Sequence, residues 1–278
     1  MRFLTQLSVA LVGAAVLTGC GDDASTSTAP MGRGFGAGEV VAAKDQGADK
    51  VRDDVTIVSG TGDITSVVGR YRDLLGSLNP NVKGQQPGNR REINWDGVPA
   101  AFTNNDLFPG NFFNVNSPRG VLFTTNGSAF RISSNGYVDV NPNYAGEFNT
   151  FSPTKLFATR GGTTTDIQFV VAGFDTAATV TGFGSVFEDV GRAHSTTIEY
   201  FDVYGNRLLT VAVPRSTDAS GLSFAGAVFA ERIVARVRIT SGDTPIDADV
   251  NDNVKGAGKK RDIVVMDDFI YGEPRSFQ

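Results

Sequence analysis

Two spacings of apolar residues divide the chain after about residue 60. Between residues 63 and 78, apolar positions recur every three or four residues, as they do along one face of an α-helix. Asp63 can cap the first turn, and Asn79 followed by Pro80 would end the helix. The apolar stripe consists of Ile64, Val67, Val68, Tyr71, Leu74, Leu75 and Leu78. The pattern predicts one amphipathic helix over about 63–78, packed at the edge of the core, where we expect it to plug one end.

From about residue 91 the spacing changes to two. Apolar residues from Ile233 to Ile239 alternate with polar ones, which is typical of a strand with one buried face. Segments 197–204 and 207–213 flank Gly205 and Asn206, so they predict a hairpin with a two-residue type II′ turn. Further strands are predicted over 121–123, 130–133, 167–171, 179–187, 222–229 and 263–271. Short strands separated by Gly, Asn, Asp and Pro predict an all-β fold, an antiparallel β-sandwich or jelly roll, with a single domain over 53–278.

The N-terminus follows a third pattern. Arg2 precedes an apolar run over 7–17, which is too short to span a bilayer, and Cys20 is the only cysteine of the 278 residues. Residues 17–20, Leu-Thr-Gly-Cys, resemble the lipobox of bacterial lipoproteins. The resemblance implies that residues 1–19 are a cleaved signal peptide and that Cys20 carries lipid on its thiol and on its amine.

A lipid on Cys20 would fix the location of the protein. Two or more acyl chains make a durable membrane anchor, whereas one chain binds only reversibly. Residues 20–52 are rich in Gly, Ala, Ser, Thr and Asp, which predicts a flexible tether. Gly21, and not an aspartate, follows the cysteine. We therefore expect an extracytoplasmic protein anchored to a bacterial membrane, and the outer membrane or the cell surface is favoured.

The net charge and the histidine count exclude some classes of partner and of catalytic site. The chain has 25 basic and 30 acidic residues, a net charge of −5, which argues against nucleic acid as a partner. His194 is the only histidine, so paired-histidine zinc sites are excluded and one candidate base remains for a serine triad. No Gly-x-Ser-x-Gly motif accompanies it, and we expect His194 to be exposed in a loop before a strand. A non-catalytic protein is favoured.

Segment 247–252 is a candidate calcium loop. Asp247, Asp249 and Asp252 place carboxylates in an irregular segment with oxygen side chains on alternate residues, as a cation with six to eight oxygen ligands requires. The segment departs from an EF-hand, because position six is Asp252 and position twelve is Gly258. A solvated acidic loop and a structural calcium site both remain open.

Asp267 and Asp268 interrupt the apolar strand predicted over 263–271. One of the two must point toward the core, and a buried carboxylate needs a partner. An arginine, backbone amides or a structural calcium ion could each serve. Calcium is attractive by analogy with jelly-roll carbohydrate-binding modules.

Carboxylate pairs are the signal for glycoside hydrolysis. The candidates are Glu92 with Asp96, Glu188 with Asp189, and Glu273. Neighbours on a strand point to opposite faces, so adjacent acids would need partners from other strands. A glycan-acting hydrolase is therefore the alternative function.

Trp95 and segment 104–114 are the candidate ligand site. Trp95, the only tryptophan, could stack on a sugar, and Asn111 and Phe112 combine an amide with an aromatic face. Trp95 also alternates with Ile93, which favours burial in the core. Phe112 could equally cover an edge of the core.

Four segments resemble a widespread family of uncharacterised exported bacterial proteins. They are residues 90–99 (RREINWDGVP), 112–120 (FFN followed by SPRG), 182–187 (GFGSVF) and 266–274 (MDDFIYGEP). The resemblance covers roughly residues 60–274 and implies an extracytoplasmic β domain without an assigned activity. The chain would depart from members with C-terminal sorting tails by its N-terminal lipid anchor.

These observations favour a membrane-anchored lipoprotein whose β-sandwich binds a glycan or another envelope component without catalysis. A hydrolase that uses carboxylates and a structural protein of the surface or matrix are the alternatives.

Overall fold

The computed structural model describes residues 40–42, 54–217, 221–250 and 261–277, and these residues form two facing antiparallel sheets. In chain order the strands are β1 (Val40–Ala42), β2 (Val55–Thr61), β3 (Arg90–Ile93), β4 (Val121–Thr125), β5 (Ala129–Ser133), β6 (Leu156–Arg160), β7 (Thr164–Phe169), β8 (Ala178–Thr179), β9 (Gly182–Glu188), β10 (Thr197–Phe201), β11 (Arg207–Ala212), β12 (Leu222–Phe229), β13 (Arg236–Thr240), β14 (Val265–Gly272) and β15 (Arg275–Ser276). The helices are α1 (Thr65–Leu75) and α2 (Phe112–Val115), with 3₁₀ turns at Ala100–Phe102 and Pro142–Tyr144.

The larger sheet has the strand order β1-β2-β12-β9-β14-β6-β5, and β3 also pairs with β14. The smaller sheet has the order β11-β10-β13-β7-β4, and β15 pairs with β8 in a separate ribbon. All strand pairs are antiparallel. The predicted all-β sandwich is confirmed.

The core between the sheets is rich in aromatic side chains. Ring centroids of Phe123 on β4 and Phe269 on β14 lie 6.1 Å apart, and those of Tyr200 on β10 and Phe229 on β12 lie 5.6 Å apart. Such tilted and edge-on contacts add to the free energy gained by burying the rings. The contacts join one sheet to the other, so they hold the two layers of the sandwich together.

Helix α1 covers the outer face of the larger sheet and does not plug an end of the core. Its buried side chains contact Val58, Val186, Phe224 and Ile270 on that face. The ring of Tyr71 occupies space that side chains at Gly184 and Gly226 would fill, since a Cβ atom there would lie 2.9 Å and 2.8 Å from it. The Tyr71 hydroxyl donates to the carbonyl oxygen of Ala227 at 3.2 Å. Two glycines on neighbouring strands thus let the helix approach the sheet.

The helix is shorter than the predicted 63–78. It ends at Leu75 because Gly76 adopts a φ of 90°, so the chain turns away before Asn79. Leu74 and Leu78 are 48% and 54% exposed, and their assignment to the buried stripe is wrong. At the other end, Ile64 and not Asp63 occupies the N-cap position, and the Asp63 carboxylate accepts a hydrogen bond from the Thr65 amide at 3.1 Å.

The predicted hairpin is confirmed, but its turn is not. Strands β10 and β11 pair with Thr197 opposite Ala212. The connection spans 202–206, five residues and not two, because the Asp202 carboxylate accepts hydrogen bonds from the amides of Tyr204 and Asn206. An aspartate that bonds backbone amides two and four residues ahead stabilises a wider loop.

Other strands match the apolar pattern to different degrees. Strand β12 has the predicted bounds 222–229, and the alternation around β13 is confirmed, with Val237 and Ile239 buried. The predicted strand 179–187 is instead divided between β8 and β9. The sequence did not predict β2 or β6.

Within the predicted tether 20–52, Val40–Ala42 forms β1 and pairs with the edge of β2, Val41 lying opposite Ile57. The signal peptide, the lipobox and Cys20 lie outside the described residues. Neither described helix has the length and apolar character needed to cross a bilayer.

Candidate functional site

A surface pocket of about 380 Å³ lies where the loop after β3 meets α2 and the segment that follows α2. We call it the aromatic pocket. Its lining includes Phe102, Phe112, Phe113, Asn116, Ser117 and Arg119. Apolar walls with a few polar groups, in a volume of about 300–1,000 Å³, are typical of small-molecule sites.

Trp95 lines this pocket with a side chain that belongs to the core. The residue is 1% exposed, and its ring stacks on Phe157 with the centroids 4.3 Å apart. The indole nitrogen donates to the Asp267 carbonyl oxygen at 2.7 Å. Trp95 is therefore buried in the core, as the sequence favoured, and neither face of its ring is presented to solvent.

The structure brings Phe112 to the pocket with Trp95, but not Asn111. Phe112 is buried, and its ring lies 5.1 Å from that of Phe113 in an edge-on contact. Asn111 is exposed and precedes α2, where its carbonyl oxygen accepts the amide of Val115 at 2.9 Å. Phe112 thus covers an edge of the core and lines a pocket at the same time.

Arg119 is the pocket residue that the sequence analysis missed. Its guanidinium carbon lies 4.9 Å from the centroid of the Phe113 ring, and its Nη1 donates to the Ser117 hydroxyl. Its Nε is buried and has no hydrogen-bond acceptor among the residues that the structure describes. No carboxylate in the described part of the chain lies within ion-pair distance of Arg119, although nine other arginines have such partners.

The environment of Arg119 is unfavourable for a positive charge. Burial lowers the pKa of Arg119; Tyr271 raises it in part, and the nearby charge of Arg91 lowers it. A half-buried guanidinium without an anion has an unrecovered desolvation cost. An acidic group on a ligand would supply the missing partner. The sequence signal was the segment Ser117-Pro118-Arg119-Gly120, whose chemistry could not be known without the fold.

Asp267 and Asp268 are both buried, 0% and 2% exposed, against Phe151 and Ser152. The Asp267 carboxylate accepts the amides of Phe151 at 2.7 Å and Ser152 at 3.1 Å. The Ser152 hydroxyl is 3.0 Å from Asp267 Oδ1 and 2.7 Å from Asp268 Oδ1, and Arg72 lies 3.3 Å from Asp268 Oδ2. Amides and an arginine, two of the three partners considered, are present, and calcium at Asp267 and Asp268 stays a prediction.

The two neighbouring aspartates reach the same serine, so the expectation that adjacent acids point to opposite faces is wrong here. The pairing register of β14 shifts between Met266 and Phe269, and this irregularity interrupts the alternation. Burial raises the pKa of Asp267 to about 8, and the Asp268 carboxylate adds to that rise. Burial also raises the pKa of Asp268, against the effects of Ser152 and Arg72. A substrate cannot reach either carboxylate.

Glu92 and Glu273, two further candidate acids, are held by arginines. Glu92 accepts hydrogen bonds from Arg72 at 2.8 Å and from Arg90 at 2.7 Å. Glu273 is buried against the fully buried Arg91, with contacts of 2.7 Å and 2.9 Å. Both acids therefore stabilise the fold.

The remaining acids are also engaged by the chain. Glu188 and Asp189 are buried, and Glu188 accepts the amide of Asn149 at 3.3 Å. Asp96 accepts the amides of Thr154 and Lys155. His194 is exposed in the loop before β10, as predicted. These positions form no carboxylate pair that flanks an open cleft.

The candidate calcium loop is described only in part, since Asp252 lies outside the described residues. The Asp247 carboxylate accepts the Ala248 amide at 2.7 Å and lies 3.7 Å from Arg160, and Asp249 is exposed. Within the described ranges, no three His, Cys, Asp or Glu side chains group closely enough to hold a metal ion. Calcium at this loop stays a prediction.

Comparisons with known proteins add little to this description. No protein-family model matches the chain, and no curated protein matches it either. Among solved structures, the K2 cleaved adhesin domain of Lys-gingipain matches with a TM-score of 0.27 and 8% identity, over 68% of this chain and 92% of that chain. A likeness this weak carries no argument about ligands.

Proposed function

We propose that this protein is a lipid-anchored, extracytoplasmic bacterial lipoprotein whose β-sandwich binds an acidic glycan, or a comparable acidic envelope component, without catalysis. The observation that carries the proposal is Arg119, a half-buried guanidinium without a carboxylate partner among the described residues, in a pocket with aromatic walls.

The chemistry of the aromatic pocket matches such a ligand. Phe102 and Phe112 offer apolar surface against which the carbon face of a sugar can pack. Asn116 and Ser117 supply amide and hydroxyl groups for the sugar hydroxyls. Arg119 would bind the acidic group through paired N–H donors, the geometry that suits a carboxylate or a phosphate.

The absence of catalysis is supported by the state of the acids. Asp267, Asp268 and Glu273 are buried and already accept hydrogen bonds from the chain. A glycosidase needs two carboxyl groups on either side of an accessible bond. Anchoring is supported by the lipobox-like segment 17–20, which would attach the protein to the membrane through Cys20.

The test is a titration of the full-length protein in detergent with a glucuronic-acid oligosaccharide and with its neutral glucose counterpart. We expect binding of the acidic oligosaccharide and at least tenfold weaker binding by Arg119→Gln, because a hydrogen bond to a charged group contributes about 1.5–3 kcal/mol. Arg215→Gln, which removes an exposed arginine elsewhere, is the matched control.

Equal affinity for the two oligosaccharides, or an unchanged affinity in Arg119→Gln, would overturn the proposed ligand class. Release of shortened oligosaccharides would instead identify a hydrolase. In the same preparation, mass spectrometry should find acyl chains on Cys20, and an unmodified thiol on an uncut precursor would overturn the proposed anchor.

A further inference from the structure

A second pocket, of about 340 Å³, lies where the C-terminal end of α1 meets the loop before β3 and the end of β12. We call it the arginine pocket. The lining residues that matter here are Leu74, Gly88, Thr181, Arg232, Glu273 and Arg275. It shares no lining residue with the aromatic pocket.

Two arginines meet in this pocket without acidic partners in the described part of the chain. Arg275 donates through Nη2 to the Gln86 carbonyl oxygen at 3.1 Å, and its Nε is buried without an acceptor. Arg232 is exposed and makes no hydrogen bond or ion pair with a described residue. Partial burial lowers the pKa of Arg232, and the positive charge of Arg275 lowers it further.

The one carboxylate that lines the pocket is committed elsewhere. Glu273 Oε1 accepts the Gln86 amide at 3.0 Å and Arg91 Nη2 at 2.9 Å. Its Oε2 accepts the side-chain amide of Asn79 and Nε of Arg91, both at 2.7 Å. Glu273 attracts Arg232 from a distance, but its charge is already balanced by the buried Arg91. The pocket therefore keeps an excess of about two positive charges in a chain of net charge −5.

We propose that the arginine pocket binds a phosphate group carried on a small molecule, with Arg232 and Arg275 as its two ligands. A phosphate monoester offers three free oxygens to two guanidiniums, whereas a carboxylate offers two oxygens and a single negative charge. A phosphate monoester carries about −1.5 to −2 charges at neutral pH, which matches two arginines. The pocket volume also leaves room for the group that the phosphate esterifies.

Phosphate chemistry could reach this pocket from two sources, a phosphorylated sugar, which is a monoester, or the headgroup of a phospholipid, which is a diester with a single charge. The charge match with two arginines favours the monoester. The site is independent of the acidic glycan proposed for the aromatic pocket. Glucose 1-phosphate and glycerophosphoglycerol are soluble probes for the two sources, and neither requires a vesicle into which the lipid anchor would insert.

The deciding experiment is calorimetric titration of the full-length protein with inorganic phosphate and with both probes, in chloride buffer of matched ionic strength. We expect binding by the wild type and at least tenfold weaker binding by Arg232→Gln and by Arg275→Gln. Arg215→Gln and Arg119→Gln should stay within twofold of the wild type. The tighter of the two probes then identifies the source.

Because Arg275 also holds the Gln86 loop, Arg232→Gln, a change at an exposed side chain, decides the case. Absence of phosphate binding at millimolar concentration, or an Arg232→Gln variant that binds as tightly as the wild type, would overturn the proposal. Failure of Arg119→Gln to lose acidic-glycan binding would overturn the proposed function alone, since it concerns the other pocket.

Discussion

The closing segment of the chain buries acids in two ways. Glu273 is matched with one counter-ion, Arg91, and all its contacts are short and lie within the fold. Asp267 and Asp268, earlier in the same segment, share one serine, and only Asp268 contacts an arginine, Arg72, which also binds Glu92. Because Arg72 is divided between Glu92 and Asp268, the negative charge of the two aspartates would not be balanced by their surroundings.

The comparison teaches that a fold neutralises buried acid either with a counter-ion or with a proton. The raised pKa values of Asp267 and Asp268 are the sign of the second route. Burial disfavours both charged forms, and the negative charges of Asp268 and Glu92 add to the rise at Asp267 and at Asp268 respectively. The pair Arg91 and Glu273 follows the first route. The two pockets contain three arginines that have no acidic counter-ion among the described residues. They are Arg119, Arg232 and Arg275, and we therefore propose that acidic ligands bind them.

Breaking the matched pair should have the largest effect. Arg91→Met leaves Glu273 as a buried charge without its counter-ion, and such a loss destabilises by about 3–5 kcal/mol. Chemical denaturation at pH 7 measures the change in free energy of unfolding. The double variant Arg91→Met with Glu273→Gln should recover part of the loss, because no unpaired charge remains. A double variant as unstable as the single one would show that packing, and not charge, explains the effect.

Removing one acid of the unmatched pair should change the pH dependence of stability. The folded state raises the pKa of Asp267 from about 3.9 to about 8, so the folded protein holds a proton that the unfolded chain has released. The contribution of Asp267 to the free energy of unfolding is therefore fully present below about pH 4, and it is lost as the pH rises through 8. Between pH 6 and 8, the wild type should lose up to about 2 kcal/mol of unfolding free energy through this group, and Asp267→Asn should not.

Thermal unfolding at several pH values measures this difference. The side-chain amide oxygen that Asp267→Asn introduces can still accept from Phe151 and Ser152, which limits structural damage in the variant. Asp175→Asn, at an exposed position, is the control and should keep the wild-type slope. If Asp267→Asn also keeps that slope, the buried pair does not hold the proton.

Removing the shared arginine should have the smallest effect. Arg72 is partly exposed, and Arg72→Gln should cost about 1 kcal/mol, within the range of partly exposed ion pairs. The stability of the variant should also fall more steeply at high pH, because the positive charge of Arg72 no longer lowers the pKa of Asp268. Arg207→Gln, which breaks the exposed pair with Glu199, is expected to change stability by less than about 0.5 kcal/mol. An equal loss in both variants would contradict a special role for Arg72.

Local patterns predicted much of the framework. The alternation around Val237 and Ile239, the strand 222–229 and the burial of α1 follow from the side-chain periods of strands and helices, which act within one element. The bounds of α1 were missed because the exit of the helix at Gly76 is a backbone event, not an apolar pattern. The wide loop at 202–206 was missed because hydrogen bonds to the Asp202 carboxylate override the turn that Gly205 favours.

The candidate site was predicted less well. The sequence pattern identified Trp95 and Phe112 as candidates. It could not show that the Trp95 ring stacks on Phe157 and does not face solvent. Arg232 and Arg275 carry no distinguishing signal, and the segment that contains Arg119 did not reveal its role, because an arginine's role depends on whether an acid from another strand reaches it. That information is a distance between segments far apart in the chain.

The sequence by itself determined the β class, the existence of α1 and the need for partners at Asp267 and Asp268, since each depends on periodicity or on the cost of burying a charge. The tertiary structure alone decided which partners those acids have, that both aspartates face one serine, and which arginines in the two pockets have no acid among the described residues. The reason is that charge compensation acts across strands, over a few ångströms in space and over as many as 196 positions along the chain, as between Arg72 and Asp268.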